Sequence, residues 1–247
     1  MDATTARIMV WEKLRKVARA DSRFAWDFAE FIADYEGSDK CAELLCNEEN
    51  YKKAKVVFVT PDANLETFRE QCIKDKKIML MTSGGIKRGI FVIRPGDVPE
   101  GREEVASILD GAARFWHYVS LADIAREYGT VDMMVTGASA ITPSGIRFGK
   151  GHGYFDLEWA MFYENGFVTI DTPVYAVGHD CQVVDGVELE VEPYDTAMDY
   201  IVTTTQVIKT TGEHKKPTHG IIWSALRPDM LREIPPLQEM WQKIACK

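Results

Sequence analysis

Apolar positions recur along this chain in two alternating rhythms, one helical and one extended. Val10, Trp11, Leu14, Val17 and Ala18 fall at helical spacing, which predicts a helix over about residues 5–20. A second helix is predicted from Ser38, a residue suited to N-capping, to about Asn47. The run Lys55-Val56-Val57-Phe58-Val59-Thr60 is short, apolar and β-branched, and it ends at Pro61-Asp62, so it reads as a buried strand feeding a turn. Asn64 is placed to cap a helix reaching about Lys74, and Lys77-Ile78-Met79-Leu80-Met81 is the next strand. Gly89-Ile90-Phe91-Val92-Ile93 continues the pattern. Ser120-Leu121-Ala122-Asp123 opens a helix with capping-box spacing, Asp standing where Glu is usual. Further strands are predicted over 131–137, 174–177 and 200–203, and a helix over 156–162. The polar stretch 210–217 reads as mobile, and Ile234-Pro235-Pro236 precedes a final amphipathic helix.

Strands alternating with helices predict an α/β fold, a mostly parallel sheet with helices on both faces. Ligands of such sheets bind beyond the carboxyl ends of the strands. Two polar segments stand there: the Thr60-Pro61-Asp62 turn, and a glycine-rich loop after the 131–137 strand. No internal repeat or low-complexity linker divides the 247 residues, so one domain over 1–247 is expected.

Composition narrows the function classes. With 46% hydrophobic and 27% charged residues the chain is a soluble globular protein. A net charge of −9, with no long basic stretch and no RNP-type aromatic motif, argues against nucleic-acid binding. The cysteines Cys41, Cys46, Cys72, Cys181 and Cys246 are odd in number and form no Cys-x-x-Cys pair, which predicts free thiols in a reducing cytosol and no zinc site. The N-terminus lacks the apolar region of a signal peptide, and no apolar run reaches bilayer-spanning length. A cytoplasmic protein without a membrane partner is expected. The oligomeric state stays open.

Against this acidic background one segment is cationic: Ser144-Gly145-Ile146-Arg147-Phe148-Gly149-Lys150-Gly151-His152-Gly153-Tyr154-Phe155-Asp156. Glycines at this density let backbone N–H groups close around an anion. Arg147 and Lys150 add positive charge, and Asp156 can hold Mg2+. The helix that follows puts the loop at a helix N-terminus, where a phosphate is favoured. The spacing is neither a Walker A loop nor the Gly-x-Gly-x-x-Gly dinucleotide fingerprint. A structural turn is the competing reading of three alternating glycines. Two further polar clusters follow. Around His179-Asp180 a capping pair outweighs a metal-dependent phosphohydrolase motif; Asp195 precedes a strand, where it could join Asp156 on one Mg2+ or stand as a solvated loop acid.

Together these clusters resemble the 5-formyltetrahydrofolate cyclo-ligase family, whose Gly-x-Arg-x-Gly-x-Gly-x-Gly-Tyr-Tyr-Asp pattern stands here as 145–156. A later family glutamine matches Gln182, and Asp-x-x-x-Asp-x-Ile-x-Thr matches Asp195, Asp199, Ile201 and Thr203. The 149–158 segment, the His179-Asp180-Cys181-Gln182-Val183 cluster, residues 31–37 and Pro61-Asp62 with Arg69 are similar to the divergent branch called methenyltetrahydrofolate synthetase domain-containing, without the RNA-binding module of some members. The resemblance implies a fold like the NagB/RpiA/CoA-transferase group. It also implies an ATP- and Mg2+-dependent reaction: the formyl oxygen of 5-formyltetrahydrofolate is phosphorylated, N10 attacks, and phosphate leaves, giving 5,10-methenyltetrahydrofolate. By position it puts Arg147, Gly149, Lys150, Gly151, His152, Gly153 and Tyr154 at the nucleotide, with Arg147, Lys150 and His152 as catalytic candidates. Asp156 and Asp195 would take the metal, and a folate-like small molecule is the implied substrate.

The departures lie at the cations. His152 stands where the family has a lysine, Lys150 fills a usually neutral position, and Leu157 replaces an arginine. The family's N-terminal Lys-x-x-Leu-Arg can be set on Leu14-Arg15 or with its arginine on Arg7, which leaves Trp11 or Ala3 in place of the lysine. Glu66 is the one loose candidate for the family's substrate-binding glutamate. Three functions therefore compete: a cyclo-ligase-like enzyme, a same-fold enzyme acting on another phosphorylated or heterocyclic molecule, and a non-catalytic nucleotide- or folate-binding paralogue.

Overall fold

The strand-forming runs assemble around β1 (Val56–Val59), which is buried along its whole length. β1 pairs in parallel with β2 (Ile78–Thr82) on one side and with β5 (Met133–Gly137) on the other. Beyond β2 lie β3 (Ile90–Ile93) and β4 (His117–Val119), both antiparallel to their neighbours. Beyond β5 lie the parallel strands β8 (Val174–Val177) and β9 (Tyr200–Val202), with β10 (Val207–Lys209) antiparallel at the edge. The order is β10-β9-β8-β5-β1-β2-β3-β4; the short strands β6 (Ala140–Ile141) and β7 (Arg147–Phe148) form a separate hairpin. The mostly parallel α/β sheet expected from the alternation is present, with antiparallel strands at both margins. This computed structural model describes residues 3–186 and 190–245; Cys246 lies outside them.

Period-two alternation sends each central strand to two cores. Phe58, Leu80, Met134 and Ala176 face one layer, packed by α7 (Leu121–Glu127), α8 (Tyr154–Glu164), α9 (Pro228–Glu233) and α10 (Pro235–Ala245). Val57, Met79, Val135 and Tyr175 face the other, packed by α1 (Ala3–Leu14), α2 (Ser38–Asn47), α3 (Glu49–Lys53) and α4 (Glu66–Lys74). Two short helices, α5 (Glu103–Ser107) and α6 (Leu109–Ala112), follow β3.

Four local expectations change. The first helix stops at Leu14; Val17 and Ala18 instead pair with the 35–36 backbone. Ser38 is buried inside α2, because Gly37, left-handed at φ 85°, takes the cap position. Asn64 is drawn into a 3-10 turn, where its Nδ2 donates to the Val177 carbonyl at 3.0 Å. The 210–217 stretch is tied down: Lys216 is buried, its Nζ 2.6 Å from Asp199 Oδ2 and 2.8 Å from the Thr172 carbonyl, and Trp159 Nε1 donates to the Pro217 carbonyl at 3.0 Å.

Candidate active site

The chain moves from β1 to β2 in one direction and from β5 to β8 in the other, so the switch point lies between β1 and β5. Asp62 sits at it. Its Oδ2 accepts the Thr60 hydroxyl at 2.5 Å and the Gly137 N–H at 2.9 Å, joining the two strand ends. Gly137 is needed for space: a Cβ there would lie 2.7 Å from Asn64 Oδ1 and 2.9 Å from Asp62 Oδ2. Arg69 of α4, fully buried, holds the same turn from beneath. Its Nη1 donates to the carbonyls of Thr60 at 2.9 Å and Asp62 at 2.8 Å, and its Nε to Ser107 at 2.6 Å. A guanidinium spans three carbonyls in this way because its donors lie in a fixed fork.

The glycine loop leaves β7 and crosses these strand ends to the start of α8. Gly153 caps α8 at φ 69°, and Gly151 stands at φ 98° with Arg7 Nη2 only 3.3 Å from where a Cβ would be. Cations surround the loop. Arg7 Nε donates to the Gly149 carbonyl at 2.8 Å, and Arg147 Nη1 donates to the Gly137 carbonyl at 3.0 Å while its guanidinium lies over Phe155. Arg227 Nη1 donates to the His152 carbonyl at 3.1 Å, and Lys150 Nζ rests on the Glu30 carbonyl at 3.1 Å. Partial burial, with Lys150 and Arg227 nearby, lowers the His152 pKa and favours the neutral imidazole.

Opposite the cations stand carboxylates. Asp156, in the first turn of α8, accepts the Thr196 N–H at 2.9 Å, which carries the Asp195 loop against it. Burial and the Asp156 charge push Asp195 up to about 6, opposed by the Glu192 N–H that it accepts. Such a pair asks for a cation. Among the described residues no three His, Cys, Asp or Glu side chains form a ready metal cage. Two carboxylates beside an anion-binding loop suit Mg2+, which takes one or two protein carboxylates and completes its shell with phosphate oxygens and water.

Arg147, Gly149, Lys150, Gly151, His152, Gly153, Tyr154, Asp156 and Asp195 all line one cavity of about 410 Å3, within the usual range for small-molecule sites. Glu66 does not: it lines a separate hollow of about 80 Å3 with Asp21, Arg23 and Asp110. Gln182 is buried as a strut, its Nε2 donating to the Ala138 carbonyl at 2.6 Å and its Oε1 accepting the His179 N–H at 2.7 Å. His179 caps its own 3-10 turn, accepting the Cys181 N–H, which is the capping role favoured over a metal motif. Arg7 reaches the glycine loop, whereas Arg15 lies over Trp26.

Sequence reasoning missed Thr82 and Glu158, which share this cavity, and Arg227, which reaches its glycine loop through the His152 carbonyl. Glu158 left one signal, a lone acid within Leu157-Glu158-Trp159-Ala160-Met161-Phe162, a helix face with no other polar residue. It is 2% exposed and burial pushes it up to about 8.

The 5-formyltetrahydrofolate cyclo-ligase family matches over residues 6–204. The chain is 35% identical over 211 residues to the methenyltetrahydrofolate synthase domain-containing protein of Danio rerio, covering 85% of this chain and 54% of that protein. It is 32% identical over 236 residues to the Bos taurus protein of the same name, covering 95% and 60%. The chain thus spans little more than half the length of these curated relatives. The NMR structure of Aquifex aeolicus 5,10-methenyltetrahydrofolate synthetase shares the fold, with a TM-score of 0.50 over 86% of this chain and 94% of that one at 17% identity. Matched along most of its length, from α1 through β9, the chain belongs to the 5-formyltetrahydrofolate cyclo-ligase family.

Proposed function

We propose that the protein is a cyclo-ligase-like enzyme that uses ATP and Mg2+ to convert 5-formyltetrahydrofolate to 5,10-methenyltetrahydrofolate. The observation that carries this reading is one cavity, over the ends of parallel strands, with a cationic glycine loop on one side and paired carboxylates on the other. Arg7, Arg147 and the 149–153 amides would bind the triphosphate. Asp156 and Asp195 would hold Mg2+, which when bound neutralises charge on the phosphate oxygens. Tyr154 and the apolar walls Ile86, Ile221, Leu226 and Met230 offer a planar ring a dry seat. Lys150 can leave the Glu30 carbonyl for a phosphate oxygen, and neutral His152, in place of the family lysine, can accept or donate a proton beside it. The protein's share in such chemistry is positioning and charge stabilisation.

The test is direct: supply 5-formyltetrahydrofolate, Mg2+ and ATP, and follow the methenyl product by absorbance. Product formation that depends on both ATP and Mg2+ supports the reading. No product from protein that Mg-ATP stabilises against heat would overturn it and leave a binding module without turnover, the second reading, which His152 and Ala3 at the two lysine positions favour.

A further inference from the structure

α8 runs through the core with apolar residues on every side of Glu158, and this carboxyl has no local reason to be there. One oxygen is accounted for: Thr82, at the end of β2, donates its hydroxyl to Glu158 Oε1 at 2.5 Å. The other, Oε2, is buried without any hydrogen-bond partner, although the residue lines the cavity. Buried polar atoms are nearly always paired, so an orphan on a cavity wall calls for an occupant.

The surroundings limit what that occupant is. Asp62 after β1 and Asp156 on α8 add negative charge around this carboxyl, and Arg147 on β7 opposes it. A phosphate is therefore disfavoured at Oε2, and an N–H donor is favoured. Phe155, Ala160, Leu226 and Met230 give the cavity the apolar surface that a flat ring needs. Glu66 faces a different hollow and cannot serve here.

We propose that Glu158, held by Thr82, is the specificity-determining residue that reads the heterocycle of the substrate by accepting hydrogen bonds from an aminopyrimidinone edge, a ring N–H beside an exocyclic amine. This rests on the reading of the cavity as a site for a folate-like substrate and names the group that selects it. An ionised carboxylate only accepts, so it matches two adjacent donors and rejects an edge with a carbonyl in place of the amine.

The experiment is calorimetric titration of the full chain with 6-methyltetrahydropterin, and with the tetrahydrolumazine that carries a carbonyl at the amine position. The pterin is expected to bind roughly tenfold or more tightly than the lumazine. Glu158→Gln replaces one acceptor with a donor and is expected to abolish most of the preference, with circular dichroism and the melting temperature as fold controls. Thr82→Val keeps the carboxyl but removes the bond that holds it in place, so the preference for the pterin should fall. That variant also serves if the glutamine variant does not fold. Equal binding of the two rings by the wild type, no binding of either, or a full preference retained in Glu158→Gln or Thr82→Val overturns the proposal. Turnover of 5-formyltetrahydrofolate is scored separately: ring recognition without turnover sinks the catalytic reading alone, and turnover without Glu158-dependent recognition sinks the present one alone.

Discussion

Asp195 titrates near 6 because it is half-buried beside Asp156, and this sets the sign of two effects. Its folded pKa lies above the ordinary value of 3.8, so the folded chain binds this proton more tightly than the unfolded one. Its contribution to stability therefore falls as pH rises from about 4 to 6, and the cost persists above 6. A Mg2+ ion between the two carboxylates reverses that cost only where both are ionised. The rise in melting temperature on adding Mg-ATP is expected to be larger at pH 7.5 than at pH 5. His152 works in the opposite direction, since its protonation at low pH adds positive charge near the phosphates. A loss of Mg-ATP stabilisation at pH 5 thus points to the carboxylates. Asp195→Asn is expected to raise the metal-free melting temperature at pH 7.5 and to flatten the pH dependence of the Mg-ATP effect. Equal stabilisation of the wild type at both pH values would rule out Asp195 as a metal ligand. The loop residues of this site were legible because glycine density and local charge are written in consecutive positions. Glu158 was not, because its lone-acid signal says nothing of where it faces, and its partner Thr82 lies far along the chain.

Among the elements, α7 shows what a local signal can and cannot say. Its capping box forms as the Ser120–Asp123 spacing predicts: Ser120 Oγ accepts the Asp123 N–H at 3.0 Å, and Asp123 Oδ2 accepts the Ser120 N–H at 3.0 Å. Glu239 of α10 adds a second layer, accepting the N–H groups of Leu121 at 2.9 Å and Ala122 at 3.2 Å. Ser120→Ala is expected to cost about 1 kcal/mol in urea unfolding, the usual worth of an N-cap. Glu239→Ala should cost a similar amount by freeing two donors of the same first turn, and the double variant should be less harmful than the sum, because the remaining donors are then open to water. Strict additivity would show the two caps to be independent. The box was legible because its partners are three residues apart. Ser38 and Asn64 were misread because the competing partners are remote. Gly37 leaves only 3.0 Å between a would-be Cβ and Thr204, and Asn64 is taken by the Val177 carbonyl across the sheet.

At the scale of the molecule, the region beyond the family match closes the cavity it shares with the matched region. Ile222, Leu226 and Met230 line the cavity, and Ile234, Leu237 and Met240 belong to the core on the α8 side of the sheet. The fold class was legible from alternating strands and helices, but this closure was not, since 210–217 is polar and its contacts lie far along the chain. Lys216 is the clasp. Its side chain is 6% exposed, while Asp199 is 35% exposed, so the pair is buried on the lysine side and open on the other. Removing one partner of a buried pair costs about 3 kcal/mol or more, and the open aspartate puts this pair at the low end. In a chain of this size about 3 kcal/mol lowers the melting temperature by roughly 6–12 °C. Lys216→Met is expected to show a drop of that order, because it strips the Thr172 carbonyl and Asp199 of their shared cation while leaving Asp199 its bond from the Val174 N–H at 2.8 Å. The same variant should weaken Mg-ATP binding modestly, because Arg227 reaches the His152 carbonyl only while the segment stays seated. Wild-type stability in Lys216→Met would mean that the segment is held by its apolar residues alone. Lost stability with unchanged nucleotide affinity would mean that Arg227 keeps its place without the clasp.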